Sequence, residues 1–307
     1  MRNNLLKYSI FLIAAVGVIL VYLFYDIANT QILLKIRLPR LMLAILTGGI
    51  LGGVGSIYQL MLKNPLAEPY ILGISTGAAL GRTVGAIIGF YVMMPIFGFL
   101  GALLTMLIVW KLASSSVNID SVRLILSGII IGILFSSVIS LLLYLNQNEL
   151  GAILHTIMGN LGHIFTVAEW RFFLIVSGIS AILMVYLYFQ SNQLDILGTG
   201  DLTATSLGIS IRNLRLKIFV ITSVLVGVTV SYAGVIGFVG LIVPHIVRMI
   251  FKSEQKTIYP MSILFGVILL VVCDFIAMHL TYIELPIGIV TSIIGSPFFI
   301  YLLLRDK

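Results

Sequence analysis

The chain has 307 residues, of which 60% are hydrophobic and only 9% charged, and its mean hydropathy is +1.17. Soluble domains carry about 25% charged residues, so a water-soluble globular fold is excluded and lipid must solvate most of the surface. The net charge of +7 comes from scattered basic residues rather than a patch; this argues against a nucleic-acid-binding face and reads as loop charge beside a bilayer.

About 20 apolar residues are needed to cross roughly 30 Å of hydrocarbon, and runs of that kind recur along the chain. The first, Tyr8–Tyr25, is long and no small-x-small cleavage site follows it, so it reads as an uncleaved helix rather than a signal peptide. Lys35, Arg37 and Arg40 form a basic cluster ahead of the second run, Leu41–Leu62. Inside that run "GGILGGVG", Gly48–Gly55, suits close helix contact; with no lysine at a helix start it is not a phosphate loop. "KNPLAEP", Lys63–Pro69, carries two prolines that stop a helix, and predicts a rigid corner. Ile71–Trp110 holds about forty residues, too many for one crossing, and a break is expected at Met94-Pro95. "GISTG", Gly73–Gly77, has the spacing of a nucleophile elbow, but in a small-residue membrane run packing explains it better.

Val122–Leu145 and Phe172–Phe189 follow, joined by a loop that carries His155 and His163. "DILGTGDLTATSLGISIRNLR", Asp195–Arg215, then interrupts the oily sequence with about twenty semi-polar residues. Ile218–Ile250 is expected to divide at Tyr232-Ala233-Gly234, leaving a second half of roughly fifteen residues. Ile258–Tyr282 and Ile287–Leu304 complete the set; Pro286 suits a helix start and Pro297 an interior kink. The prediction is an all-α polytopic membrane protein of about ten helices, residues 1–307 forming one transmembrane domain. The single cysteine, Cys273, lies in an apolar run and is read as a packing residue, with no disulfide framework or thiolate metal cluster.

An even helix count puts both termini on one side. With the N-terminus inside, Arg2, Lys7, Lys63, Lys111, Arg123, Arg212, Arg215, Lys217, Arg248, Lys252, Lys256, Arg305 and Lys307 are cytoplasmic, and only Lys35, Arg37, Arg40 and Arg171 fall clearly outside. That satisfies the positive-inside bias and turns Asp195–Arg215 towards a cytoplasmic partner. The external basic cluster has two readings: headgroup contact at a helix start, or a docking patch for an acidic external protein. Neither H-E-x-x-H nor G-x-x-x-x-G-K-[ST] occurs, so ATP phosphates have no cradle in this chain. "GTGD", Gly198–Asp201, matches an intramembrane aspartyl protease pattern with Asp26 as the partner acid, but neither acid falls inside a span.

"RLPR" at Arg37–Arg40, "QLMLKNPLAEPYILGISTGAALG", "GFVGLIVPHIVR" at Gly237–Arg248 and "ELPIGIVTSIIGSPFFIYLL" at Glu284–Leu303 together resemble the FecCD family, the permeases of ABC importers for ferric siderophores, haem and cobalamin. The blocks lie in family order and span almost the whole chain. The resemblance implies a cobalamin-importer-permease-like fold, working as a dimer with the same or a sister chain. It implies a cytoplasmic ATPase dimer that binds ATP and Mg, an external substrate-binding protein, and no cofactor or enzymatic site in the permease itself. Asp195–Arg215 would then be the coupling segment seated on the ATPase, through Leu197, Gly198, Ala204, Leu207 and Gly208, with Asp201, Arg212 and Arg215 as rim contacts. Arg37 and Arg40 match arginines that receive acidic residues of the binding protein. A third family arginine is replaced here by Met278, four residues after Asp274, with His279 beside it as a partial substitute. The fifth helix, Arg123–Tyr144, is the candidate pathway wall, with Ser127, Ser136 and Ser137 as candidate lining residues.

Arg82 falls mid-span in the third helix, where an arginine costs about 2.5–3.5 kcal/mol to insert. Two readings stay open: pairing with a membrane acid such as Asp274, or lining the pathway to attract an anionic chelate. His155 and His163 are read either as exposed loop residues or as ligands to haem iron in transit, and His245 as a packing residue. The rival from another class is an ion-coupled secondary transporter, which would need a membrane carboxylate such as Asp274 or Glu284.

Overall fold

A computed structural model describes residues 2–25, 29–113, 121–147 and 158–305. Among these residues there is no strand, and the chain is built of helices. In chain order they are α1 (Arg2–Phe24), α2 (Leu38–Met61), α3 (Ile74–Ile87), α4 (Met94–Ala113), α5 (Ser121–Leu145), α6 (Val167–Phe189), the short α7 (Ser191–Thr199) and α8 (Asp201–Ser206), then α9 (Ile211–Ala233), α10 (Val239–Phe251), α11 (Gln255–His279) and α12 (Ile287–Arg305). Seven of the helices are long and apolar enough to cross a bilayer. With 14 and 13 residues, α3 and α10 are shorter, because at 1.5 Å per residue each covers only about 20 Å.

The helix boundaries follow local chemistry. Between α3 and α4 the chain turns at Gly89, whose φ of +82° is open to glycine. The break expected at Met94-Pro95 therefore lies a few residues earlier, and Pro95 sits in the first turn of α4, where its missing N–H costs nothing. The division at Tyr232-Ala233-Gly234 is as expected: α9 ends at Ala233 and Gly234 takes φ +72°. α6 opens with a reciprocal cap, Thr166 N–H donating to Glu169 Oε2 at 2.8 Å and Glu169 N–H to Thr166 Oγ1 at 3.3 Å.

The chain divides into two compact units. One comprises Met1–Ser56, Asn160–Tyr188 and Ile236–Lys307. Here α1, α10 and α12 pack on α11. The glycine run of α2 meets α11 and α10 almost backbone to backbone: a Cβ on Gly48 would lie 2.5 Å from Gly266 O, on Gly52 2.2 Å from Ser262 O, and on Gly55 2.0 Å from Gly240 O. Close packing, not ligand binding, is what those glycines do. At the start of α10, Phe238 holds φ +70°, and its ring occupies the space that a side chain on Gly295 would fill.

The other unit comprises Ile57–Gly159 and Phe189–Val235. In it α3 and α4 cross at Gly77, Gly81 and Gly101, each of which would clash with facing backbone or with Thr105 if it carried a Cβ. α9 packs on α4, with Trp110 stacked on Phe219 at 5.5 Å. Tyr58, fully buried, shares a 2.7 Å hydrogen bond with Thr222. The "GISTG" serine, Ser75, is buried in α3, consistent with packing rather than nucleophilic chemistry.

Candidate functional site

The semi-polar segment folds as α7 and α8, two short helices joined at Gly200 (φ +149°) and ended at Gly208 (φ +80°). Their apolar side chains divide into two sets. Leu194, Leu197 and Ala204 are fully buried within the unit, and a Cβ on Gly198 would come within 2.6 Å of Leu60. On the other side Leu202 and Leu207 are 90% and 62% exposed, beside exposed Thr203, Thr205 and Ser206. Of the residues singled out for coupling, Leu207 and Gly208 face outward, whereas Leu197 and Ala204 are anchors beneath the helices. Leu202 was missed in the sequence. An isolated leucine carries no period in so short a helix, and only the fold shows which side of α8 is covered.

Of the polar residues expected at the rim, Asp201 keeps 45% of its side chain exposed, while Arg215 is covered. Asp201 Oδ1 accepts from Lys63 Nζ at 3.0 Å and from Arg215 Nη2 at 3.1 Å, with the Arg215 side chain only 7% exposed. Burial pushes the Asp201 carboxyl up, but the Lys63 hydrogen bond and the Arg215 charge outweigh it and hold the group below the usual aspartate range. Arg212 is exposed. Lys63 opens the "KNPLAEP" corner in a left-handed conformation, φ +51°. Asn64 braces the corner: its N–H donates to Gln59 O, its Oδ1 accepts from Leu66 N–H at 2.9 Å, and its carbonyl accepts from Ala67 N–H. The rigid corner read from two prolines is thus real, and an Asx turn reinforces it.

In the first-described unit, Arg40 and Asp274 are buried together. Arg40 Nε and Nη2 reach Asp274 Oδ2 and Oδ1 at 2.9 Å each, Tyr22 Oη donates to Asp274 Oδ2 at 2.6 Å, and Arg40 Nη1 reaches Glu284 Oε2 at 2.8 Å. Arg37 is 8% exposed and donates to the carbonyls of Tyr22 and Tyr25. The two arginines therefore spend donors inside the unit, while Lys35 and His279 are exposed. His279 Nδ1 lies 2.8 Å from Phe275 O and its ring packs edge-on against Tyr25. The partners of Asp274 are Arg40 and Tyr22 and not Arg82, so the reading that pairs Arg82 with it is corrected. Arg82 Nη1 instead donates to two last-turn carbonyls of α9, Ser231 O at 2.6 Å and Val230 O at 3.2 Å, the second of which also accepts from Gly234 N–H.

α5 forms one wall of a groove of about 400 Å³, floored by Gly73, Gly128 and Gly132 and edged by Thr76, Ser136, Ser137 and Ser140. Ser136 and Ser137 are brought together there; Ser127 is half-buried and not on the groove wall. The hydroxyls of Thr76, Ser137 and Ser140 donate back to Gly73 O, Ile133 O and Ser136 O, leaving oxygen lone pairs towards the groove. His163 stands 3.9 Å from Glu169 and edge-on to Phe165, and His245 packs against Phe298 and Phe299. His155 and Asp26 lie outside the described residues. Among the described residues no group of three or more His, Cys, Asp or Glu is arranged to hold a metal ion.

Seven helices long and apolar enough to cross a bilayer mark an integral membrane protein. The comparisons place it more finely. The model of the FecCD transport family matches residues 5–305. The hemin transport system permease protein HmuU of Yersinia pestis is 35% identical over 291 residues, 91% of this chain and 85% of that protein. The vitamin B12 import system permease protein BtuC of Vibrio parahaemolyticus is 35% identical over 287 residues, 92% of this chain and 85% of that one. A metal-chelate type ABC transporter solved in an inward-facing conformation superposes with a TM-score of 0.88 at 27% identity, covering 99% of this chain and 100% of its own. The chain belongs to the FecCD transport family and is a permease component of an ABC transporter.

Proposed function

We propose that this chain is the permease subunit of an ATP-driven importer that passes an iron chelate, a ferric siderophore or haem, or else cobalamin, through the interface of a permease dimer. Both termini and the α7–α8 platform face the cytoplasm of a bacterial inner membrane, where an ATPase dimer binds ATP and Mg. An external binding protein delivers the cargo at the end of the bundle that carries Lys35, Arg37, Arg40 and His279. ATP binding closes the ATPase dimer, and α7 and α8 pass that motion to the membrane helices, alternating access between two packed states. α5 supplies a wall of the pathway through Ser136 and Ser137, and selectivity rests largely with the binding protein.

The observation that carries this reading is the division of faces on α7 and α8. Leu197 and Ala204 fix the platform from below, while Leu202 and Leu207 stay exposed outside the spans, uncovered by any of the described residues. Exposed leucines on a short polar helix suit a partner protein better than water. Purification from native membranes under mild detergent, with the copurifying proteins identified by mass spectrometry, tests it. A P-loop ATPase should accompany the wild-type chain and be lost with Leu202→Asp or Leu207→Asp, which burden no internal contact. A stable chain that carries out uptake with no ATPase attached would overturn the reading.

A further inference from the structure

α8 has only six residues, and a helix so short is marginal without support from its surroundings. It sits between two glycine joints, Gly200 and Gly208, both at positive φ, and no atom lies within 4 Å of a Cβ built on Gly208. A platform so hinged would absorb a push from a partner by swivelling unless something ties it down. The buried methyl of Ala204 is one contact. Another is Asp201, at the first residue of α8, with a single oxygen shared between Lys63 and Arg215. Lys63 belongs to the braced corner that follows α2, and Arg215 to the start of α9, where its side chain is almost wholly covered.

We infer that Asp201 is a positioning residue: its two ion pairs tie α8 to the corner after α2 and to the start of α9, so that a displacement of α8 is delivered to two membrane helices instead of being lost at Gly200 and Gly208. The inference rests on the coupling role proposed for α7 and α8. It gives Asp201, whose side chain is 45% exposed, a role in the linkage behind the contact surface with the ATPase. The buried arginine carries the firmer half of the tie, because a charge pair shielded from water is less screened than the half-exposed Lys63 pair.

The test is hydrogen–deuterium exchange on the intact permease–ATPase complex, with and without ATP. In the wild type, ATP should alter exchange in α8, in residues 57–67 and in residues 211–218 together. In Asp201→Asn, which keeps size and shape, α8 should still respond while the response in 57–67 and 211–218 falls by roughly threefold, the scale of a partly exposed charge pair. Asp201→Glu should restore most of it. Arg215→Gln should release 211–218, and Lys63→Gln should release 57–67. Unchanged protection in α3 and α4 separates a lost tie from a loosened fold. An Asp201→Asn complex that responds in all three segments as the wild type does overturns the tie alone. A wild-type chain that holds no ATPase overturns the proposed function and the tie with it.

Discussion

Arg40 and Asp274 form a two-point ion pair in the interior of the protein, 2.9 Å at each contact, with the carboxylate side chain fully buried. They are 234 residues apart in the chain. The pair joins the start of α2 to α11, and Tyr22 of α1 completes it by donating to the same carboxylate. Three helices thus converge on one charge that no water reaches.

Breaking one half of that pair should cost more than removing both. Arg40→Leu leaves Asp274 with Tyr22 alone, and an uncompensated buried charge costs about 3–5 kcal/mol. The double variant Arg40→Leu, Asp274→Leu should recover most of the loss. Thermal unfolding of the purified variants in one detergent checks the order, and a double variant less stable than either single one would contradict it.

Glycine substitutions should sort by their neighbours. Gly52→Ala and Gly55→Ala put a methyl 2.2 and 2.0 Å from facing carbonyl oxygens, and such overpacking costs about 1–3 kcal/mol or more. Gly17→Ala and Gly178→Ala meet nothing within 4 Å and should leave folding yield unchanged. Expression and size-exclusion profiles of the four variants are the measurement.

Arg82 should matter for stability rather than for cargo charge. Its donors go to Val230 O and Ser231 O. Arg82→Met should lower stability by about 1.5–3 kcal/mol, the scale of a lost charged hydrogen bond. The ratio of uptake between anionic and neutral chelates should not move, as competition assays in cells would show.

The α5 groove can be narrowed without disturbing the fold. A Cβ on Gly132 stands in ordinary contact, 3.5 Å from Thr76 Oγ1, whereas one on Gly128 would lie 2.5 Å from Leu72 Cα. Gly132→Ala should therefore fold and keep its ATPase but slow uptake, if that groove is part of the cargo wall. Gly128→Ala should reduce the yield of folded protein. Uptake per folded molecule separates the two effects.

The Asp201 ties should be insensitive to pH over about 5 to 8. Lys63 and Arg215 hold the carboxyl below its ordinary value, so their contribution is fully present above the ordinary aspartate range and is lost only as pH falls below it. A titration of the Asp201 carboxyl by nuclear magnetic resonance should find no proton uptake within that range; uptake near neutrality would contradict the pairing.

Much of this was legible in the chain itself. Composition decided that lipid is the solvent, because no water-soluble core can absorb so much apolar surface. The glycine run Gly48–Gly55, the corner at Lys63–Pro69 and the break at Gly234 were readable because each is local: small residues, prolines and a positive φ act within a few positions. The opening break in Ile71–Trp110 was placed at proline, but glycine ends the helix and proline begins the next. What only the tertiary structure decided is which way the polar groups face. Arg40 turns inward to Asp274, Asp201 turns to Lys63 and Arg215, and Arg82 to the end of α9. Sequence shows that a charge is present, but its partner is chosen by whatever long-range packing brings within 3 Å. Phe238 can keep a backbone conformation costly for a bulky residue because Gly295, far along the chain, leaves room for its ring.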